Sequence, residues 1–168
     1  MNLVIKTAHK ALWNGRDMRC AVGRGGIVTA DAKHEGDGCT PAGSWAMREM
    51  FYRADRETAP VTGLQMRALT PEDAWCDVEG DPAYNRLVRL PYPTRDEKLW
   101  REDHLYDLVV VLGYNDDPPR AGRGSAIFLH LARPDFSPSS GCVTLGRDDL
   151  LTVLREATGQ TYVQILKA

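Results

Sequence analysis

SAIFLHLARPDFSPSSGCVTL, residues 125–145, holds both the strand that decides the fold and two residues that could decide the chemistry. Its first seven residues alternate. With Ile127 and Leu129 turned toward a core, Phe128 and His130 point the other way, because successive side chains of a strand leave on opposite faces. The pattern predicts a β-strand over 125–131 with His130 on an accessible face near its end. The loop RPDFSPSS leaves that strand, Ser139, Ser140 and Gly141 turn the chain back, and Cys142 opens a short apolar segment, VTL. Strand end and turn are therefore expected to meet.

Working outward, similar runs recur between Gly and Pro punctuation: LVIKTA (3–8), WAMREMFY (45–52), RLVRL (86–90), YDLVVVLGY (106–114) and TYVQIL (161–166). All read as strands. A helix is predicted over Arg147–Ala157, with Leu150, Leu151, Leu154 and Ala157 on one face, acids in its first turn and Arg155 near its end, as the helix dipole favours. A second, shorter helix is predicted over Thr94–Asp103. NDDPPRAGRGS (115–125) reads as a surface loop. No repeat or linker divides the chain, and 168 residues at 43% hydrophobic content suffice for one core. The expectation is a single domain over 1–168, mostly β with one or two short helices.

Composition excludes several function classes. A net charge of −2 points to no nucleic-acid partner. Arginine outnumbers lysine 16 to 5, which suits carboxylate recognition, although a coding bias produces the same count. No stretch of about 18 apolar residues appears, so no membrane span is expected, and the opening MNLVIKTAHK shows no export signal. Cys20, Cys39, Cys76 and Cys142 form no CxxC pair, and His9, His34 and His104 are isolated in sequence, so no metal or cofactor is expected. A cysteine beside an imidazole exchanges its proton for an ion pair and becomes a strong nucleophile. A buried inert thiol fits the same residues, and spacing alone does not choose between them.

Residues 124–145 resemble the signature of the L,D-transpeptidase catalytic domain, or YkuD-like domain, in which a histidine and a variable loop precede Ser/Thr-His-Gly-Cys. GRGGIVTADAKHEGDGCTPAGSW (23–45) resembles the family's hairpin ending in TPAG, and WCDVEGDPAYNRLV (75–88) with YDLVVVLGYN (106–115) resembles a proteobacterial subgroup. The resemblance implies a β-sandwich-like domain that cuts or rejoins bonds between an L- and a D-centre in peptidoglycan stem peptides. It implies Cys142 as nucleophile, His130 as base, the Leu131 carbonyl as the group orienting the imidazole, and backbone amides of Ser140, Gly141 and Cys142 as oxyanion hole. A carbapenem adduct on Cys142 and a periplasmic location follow from it. Trp75, Tyr84, Asn85, Arg86, Tyr114, Asn115 and Ser125 are the expected substrate contacts, although core packing explains the aromatics equally well. Two positions depart from the family pattern: Ser140 stands where a histidine is usual, and Thr144 where Asn or Arg is usual. Cys39, inside DGCTPAG, reads as a loop thiol. An L,D-carboxypeptidase or amidase of the same fold, and a non-catalytic peptidoglycan-binding module, are the alternatives.

Overall fold

Strand β5 (Thr40–Tyr52) is long enough to belong to two faces of the molecule, and that is what closes the fold. Its first half pairs antiparallel with β13 (Tyr162–Ile165), and its second half with β10 (Leu108–Leu112) across a register shift. The computed structural model describes residues 1–93 and 96–167. From β10 the sheet continues through β11 (Phe128–Leu131), β12 (Val143–Leu145), β3 (Arg16–Ala21), β2 (Lys10–Trp13) and β1 (Asn2–Thr7) to β13 and back to β5. Two short strands, β4 (Ile27–Thr29) and β6 (Gln65–Ala68), add to β5 in parallel. The result is one mostly β domain, a sandwich whose two layers are joined by shared strands.

Alternation sorts the side chains. Leu108, Val110 and Leu112 of β10, with Leu129 and Leu131 of β11, enter an inner core that also takes Leu150, Val153 and Leu154 of helix α1 (Arg147–Glu156). The predicted helix is thus present, and its apolar face is the buried one. Val109, Val111 and Phe128 face outward, yet they are buried as well, under Trp75, Leu99, Leu105 and Tyr106. These covering residues come from the segment between β5 and β10. It holds a second sheet in which β7 (Asp73–Cys76) lies between β8 (Arg86–Arg89) and β9 (Asp96–Lys98).

Two expectations are corrected here. Within the predicted helix 94–103, Asp96–Lys98 is the edge strand β9, paired with β7 through Trp75↔Glu97; Thr94 and Arg95 lie outside the described residues. Asp96, Glu97 and Lys98 offer no apolar face to bury as a helix, whereas as a strand they complete the hydrogen bonding of β7, and the adjoining Leu99 is buried beside them. His130 is not on an open face: the alternation holds, but the second sheet and its loops cover that side, leaving His130 4% exposed.

Candidate active site

β11 and β12 run parallel, with Leu129 opposite Val143 and His130 opposite Thr144. Cys142, one residue before β12, therefore falls beside Phe128, on the same outward face as His130. The Phe128 N–H donates to the Cys142 sulfur at 3.4 Å, and the thiol donates to the Ala126 carbonyl at 3.3 Å. Both His130 and Cys142 line one cavity of about 1320 Å³.

Among the described residues one hydrogen bond orients the imidazole. His130 Nδ1 lies 2.9 Å from the Leu131 carbonyl oxygen, and since a carbonyl only accepts, Nδ1 carries the hydrogen. Nε2 is left with its lone pair. Burial lowers the imidazole to about 4, against the stabilising Leu131 bond, and burial pushes the Cys142 thiol up to about 12, helped by the negative charge of Glu97. Both shifts favour a neutral thiol and a neutral imidazole over the ion pair that a cysteine beside an imidazole can form. Burial of both side chains makes the charged forms costly, because each charge loses hydration that their attraction must return.

The turn before Cys142 is shaped by its neighbours. Gly141 has φ +138°, and a Cβ there would sit 3.0 Å from the Cys39 carbonyl oxygen, so only glycine fits. A Cβ on Gly23 would meet the Gly141 Cα at 2.9 Å. Thr40 clips the two segments together: its hydroxyl donates to the Gly141 carbonyl at 2.7 Å and accepts from the Gly23 N–H at 2.8 Å. The segment read as a hairpin ending in TPAG is not one, since β4 and β5 run parallel, but its Gly23, Cys39 and Thr40 form the mould in which the turn is cast. Ser139 Oγ accepts from the Gly141 N–H at 3.1 Å and donates to the Cys142 carbonyl at 2.6 Å. That bond commits the Gly141 amide, which the resemblance places among the oxyanion donors. Arg24 reaches over to donate to Ser140 Oγ at 3.1 Å. Thr144 is buried and donates to the Ala21 carbonyl at 3.5 Å, away from the cavity.

Of the seven expected substrate contacts, only Ser125 lines the cavity with Cys142. It is buried, and its hydroxyl, a neighbour of Tyr84, makes no well-formed hydrogen bond among the described residues. The others are committed to structure. Asn85 accepts from Trp75 Nε1 at 2.9 Å and from the Ala126 N–H at 3.0 Å, and donates to the carbonyls of Tyr114 and Asn115 at 3.1 and 2.7 Å. Trp75 stands edge-on to Phe128, Tyr84 donates to Glu35, Tyr114 donates to the Arg123 carbonyl, and Asn115 ties its own loop through the carbonyls of Arg120 and Gly124. Arg86 is exposed and lines a separate pocket of about 580 Å³ with Trp75 and Asn85. These aromatics are large and apolar, and the fold uses them as core.

Sequence reading passed over Arg24, Lys33, Glu97, Arg101 and Tyr106, all on the cavity wall. Glu97 and Arg101 lie in the stretch read as a helix, and Tyr106 opens the run read as a strand, where its side chain drew no notice as a site residue.

A family model described as the L,D-transpeptidase catalytic domain matches residues 3–165. The chain belongs to that family. The match implies an L,D-transpeptidase-type enzyme acting on peptidoglycan. No curated protein and no solved structure matches. Among the described residues no helix is long and apolar enough to cross a membrane.

Proposed function

We propose that this L,D-transpeptidase-family protein forms a thioester between Cys142 and the L-centre of a donor stem peptide, then transfers the acyl group to an acceptor amine, giving a 3-3 or 1-3 cross-link. The observation that carries the reading is the His130 tautomer: with Nδ1–H held by Leu131, the only basic nitrogen left is Nε2, on a side chain that shares a cavity with the one thiol on its wall.

The steps follow from two neutral partners. As the sulfur attacks the carbonyl of the L-residue, Nε2 takes its proton, so charge appears only when the bond forms. The oxyanion is held by the amides of Ser140 and Cys142, since the Gly141 N–H already serves Ser139. The C–N bond then breaks, and the imidazolium gives its proton to the departing D-residue amine. In the second half the acceptor amine attacks the thioester, His130 takes one amine proton, and the expelled sulfur recovers it. Water in place of the amine would give the carboxypeptidase outcome. Thr144 lies off the cavity, so acceptor recognition falls to other residues.

Muropeptide products formed from a donor tetrapeptide, with and without an acceptor amine, test the proposal. Cross-linked product that depends on the acceptor and on Cys142 is expected; trimmed donor alone, at the same rate in both samples, would assign hydrolysis. The substrate lies outside the cytoplasmic membrane, so the proposed location is the periplasm. Carbapenems carry an acyl group of the same reactivity, and intact mass spectrometry is expected to find one adduct on Cys142 and none on Cys142→Ala.

A further inference from the structure

The second sheet carries into the cavity a carboxyl that the steps above do not use. Glu97, the middle residue of β9, lies opposite Trp75 and accepts a hydrogen bond from the Tyr106 hydroxyl. The Tyr106 ring stands edge-on to the His130 imidazole, 4.9 Å between centroids at 76°, and edge-on to Phe128 at 5.9 Å. The Arg101 guanidinium lies over the same tyrosine ring at 5.0 Å. One hydroxyl therefore ties the covering sheet to the imidazole. Glu97, Arg101, Tyr106, His130 and Cys142 all line the same cavity.

We propose that Glu97 is a positioning residue of this site: its carboxyl anchors Tyr106 against His130 and puts a charge on the cavity wall that Cys142 shares, and that charge governs how readily the thiol reacts. The electrostatics run in one direction. Burial, reinforced by the charges of Asp77 and Glu35, raises the Glu97 carboxyl above the usual carboxylate range, against the Tyr106 hydrogen bond and the Arg101 charge. Its charge in turn raises the Cys142 thiol, opposed by Lys33, Arg101 and the Phe128 N–H. Coupling between two sites is reciprocal, so a thiolate at Cys142 makes Glu97 hold its proton harder. The role in catalysis rests on Cys142 being the nucleophile; the coupling itself is read on the thiol.

The test follows alkylation of Cys142 by iodoacetamide from acid to alkaline pH, located by peptide mapping on the full chain. Glu97→Gln keeps a polar partner for Tyr106 and removes the charge, so alkylation below the midpoint is expected to run roughly threefold faster or more, with the midpoint displaced to lower pH. Glu97→Asp keeps the charge and should return the profile toward wild type. Tyr106→Phe keeps the ring but removes the bond that favours the negative carboxylate, so it too is expected to speed alkylation; a residue that merely braced the fold would not move the midpoint in either variant. Superimposed profiles for wild type and Glu97→Gln, with native circular dichroism, overturn the inference, as does Glu97→Asp behaving like Glu97→Gln. If transfer survives Cys142→Ala while the profiles differ, the nucleophile reading fails and the coupling stands; if transfer needs Cys142 and the profiles coincide, the reverse holds.

Discussion

Asn85 and His130 are equally buried, each 4% exposed, the first in the covering segment and the second on β11 beneath it. They differ in what remains unused. Asn85 spends both donors and its acceptor oxygen on Trp75, Ala126, Tyr114 and Asn115. His130 spends Nδ1 on Leu131 and keeps Nε2 for the cavity. A buried polar side chain with its capacity filled holds a fold together; one with a reserved lone pair on a cavity wall is available for chemistry. The first also serves the second, because Asn85 fixes Ala126, a non-glycine residue at φ +52° whose carbonyl receives the Cys142 thiol.

The sharpest way to break this comparison is to truncate both kinds of residue. Cys142→Ala and His130→Ala are expected to lower transfer by about a thousandfold or more while leaving a cooperative denaturant transition. Asn85→Ala should do the opposite kind of damage: it strands the Trp75 N–H, the Ala126 N–H and two carbonyls, costing about 3 kcal/mol or more in stability before any effect on the chemical step. Urea titrations beside product assays separate the two. A stable Asn85→Ala enzyme with no activity would make Asn85 a ligand contact and undo the distinction.

Next in size is the turn. Ser140→Pro deletes one of the two amides left for the oxyanion, and a lost donor of this kind costs roughly 2.7–4 kcal/mol, on the order of a hundred- to a thousandfold in acylation rate. Ser140→Ala keeps the amide and loses only the contact to Arg24, so a fall of less than about tenfold is expected. Acylation rates that fall equally in both variants, with the proline variant folded, would bring the hydroxyl itself into the reaction.

The neutral pair also predicts how stability depends on pH. His130 titrates near 6.5 when unfolded and about 4 when folded, so acidification through that window protonates the unfolded chain alone and stability is lost as pH falls. Cys142 is raised from 9.0 to about 12, so stability is lost again as pH rises through that window. A plateau between the two windows is expected in thermal melts, and Cys142→Ala should lessen the alkaline loss. An unchanged alkaline limb in that variant would mean the thiol is already ionised in the folded protein.

What the sequence shows clearly follows the same division. Runs with strong alternation, such as those leading to β10, β11 and β13, are legible because burial of one face imposes a period of two. The pairing of β2 with β3 was also open to reading: Asn14-Gly15 is a hairpin dipeptide, and both residues take positive φ, 47° and 81°. β9 was not, because Asp96, Glu97 and Lys98 are all polar and only pairing with β7 makes them a strand. The His130 and Cys142 positions were legible as motif, but their protonation was not, since the layer that dries them comes from residues 69–106, far away in sequence. Trp75 belongs to that layer and Tyr84 is buried beside Glu35, and neither lines the cavity that holds Cys142.

The smallest expected effect concerns the other thiol beside the turn. Cys39 lies against Gly25, where a Cβ would sit 2.4 Å from its sulfur, and it donates to the Gly25 carbonyl at 3.4 Å. Its carbonyl, not its thiol, is what Gly141 packs against. Serine has nearly the same shape and can keep the bond to Gly25, so Cys39→Ser should leave transfer within about twofold and stability within about 1 kcal/mol of wild type. Cys142→Ser makes the same exchange of sulfur for oxygen yet is expected to be inactive, because an alcohol is far harder to deprotonate and a far poorer nucleophile than a thiol served by a base. Side-by-side assays of these two serines decide which sulfur does chemistry. A dead Cys39→Ser beside a live Cys142→Ser would move the nucleophile to the segment before β5, and with it the meaning of the lone pair that His130 keeps.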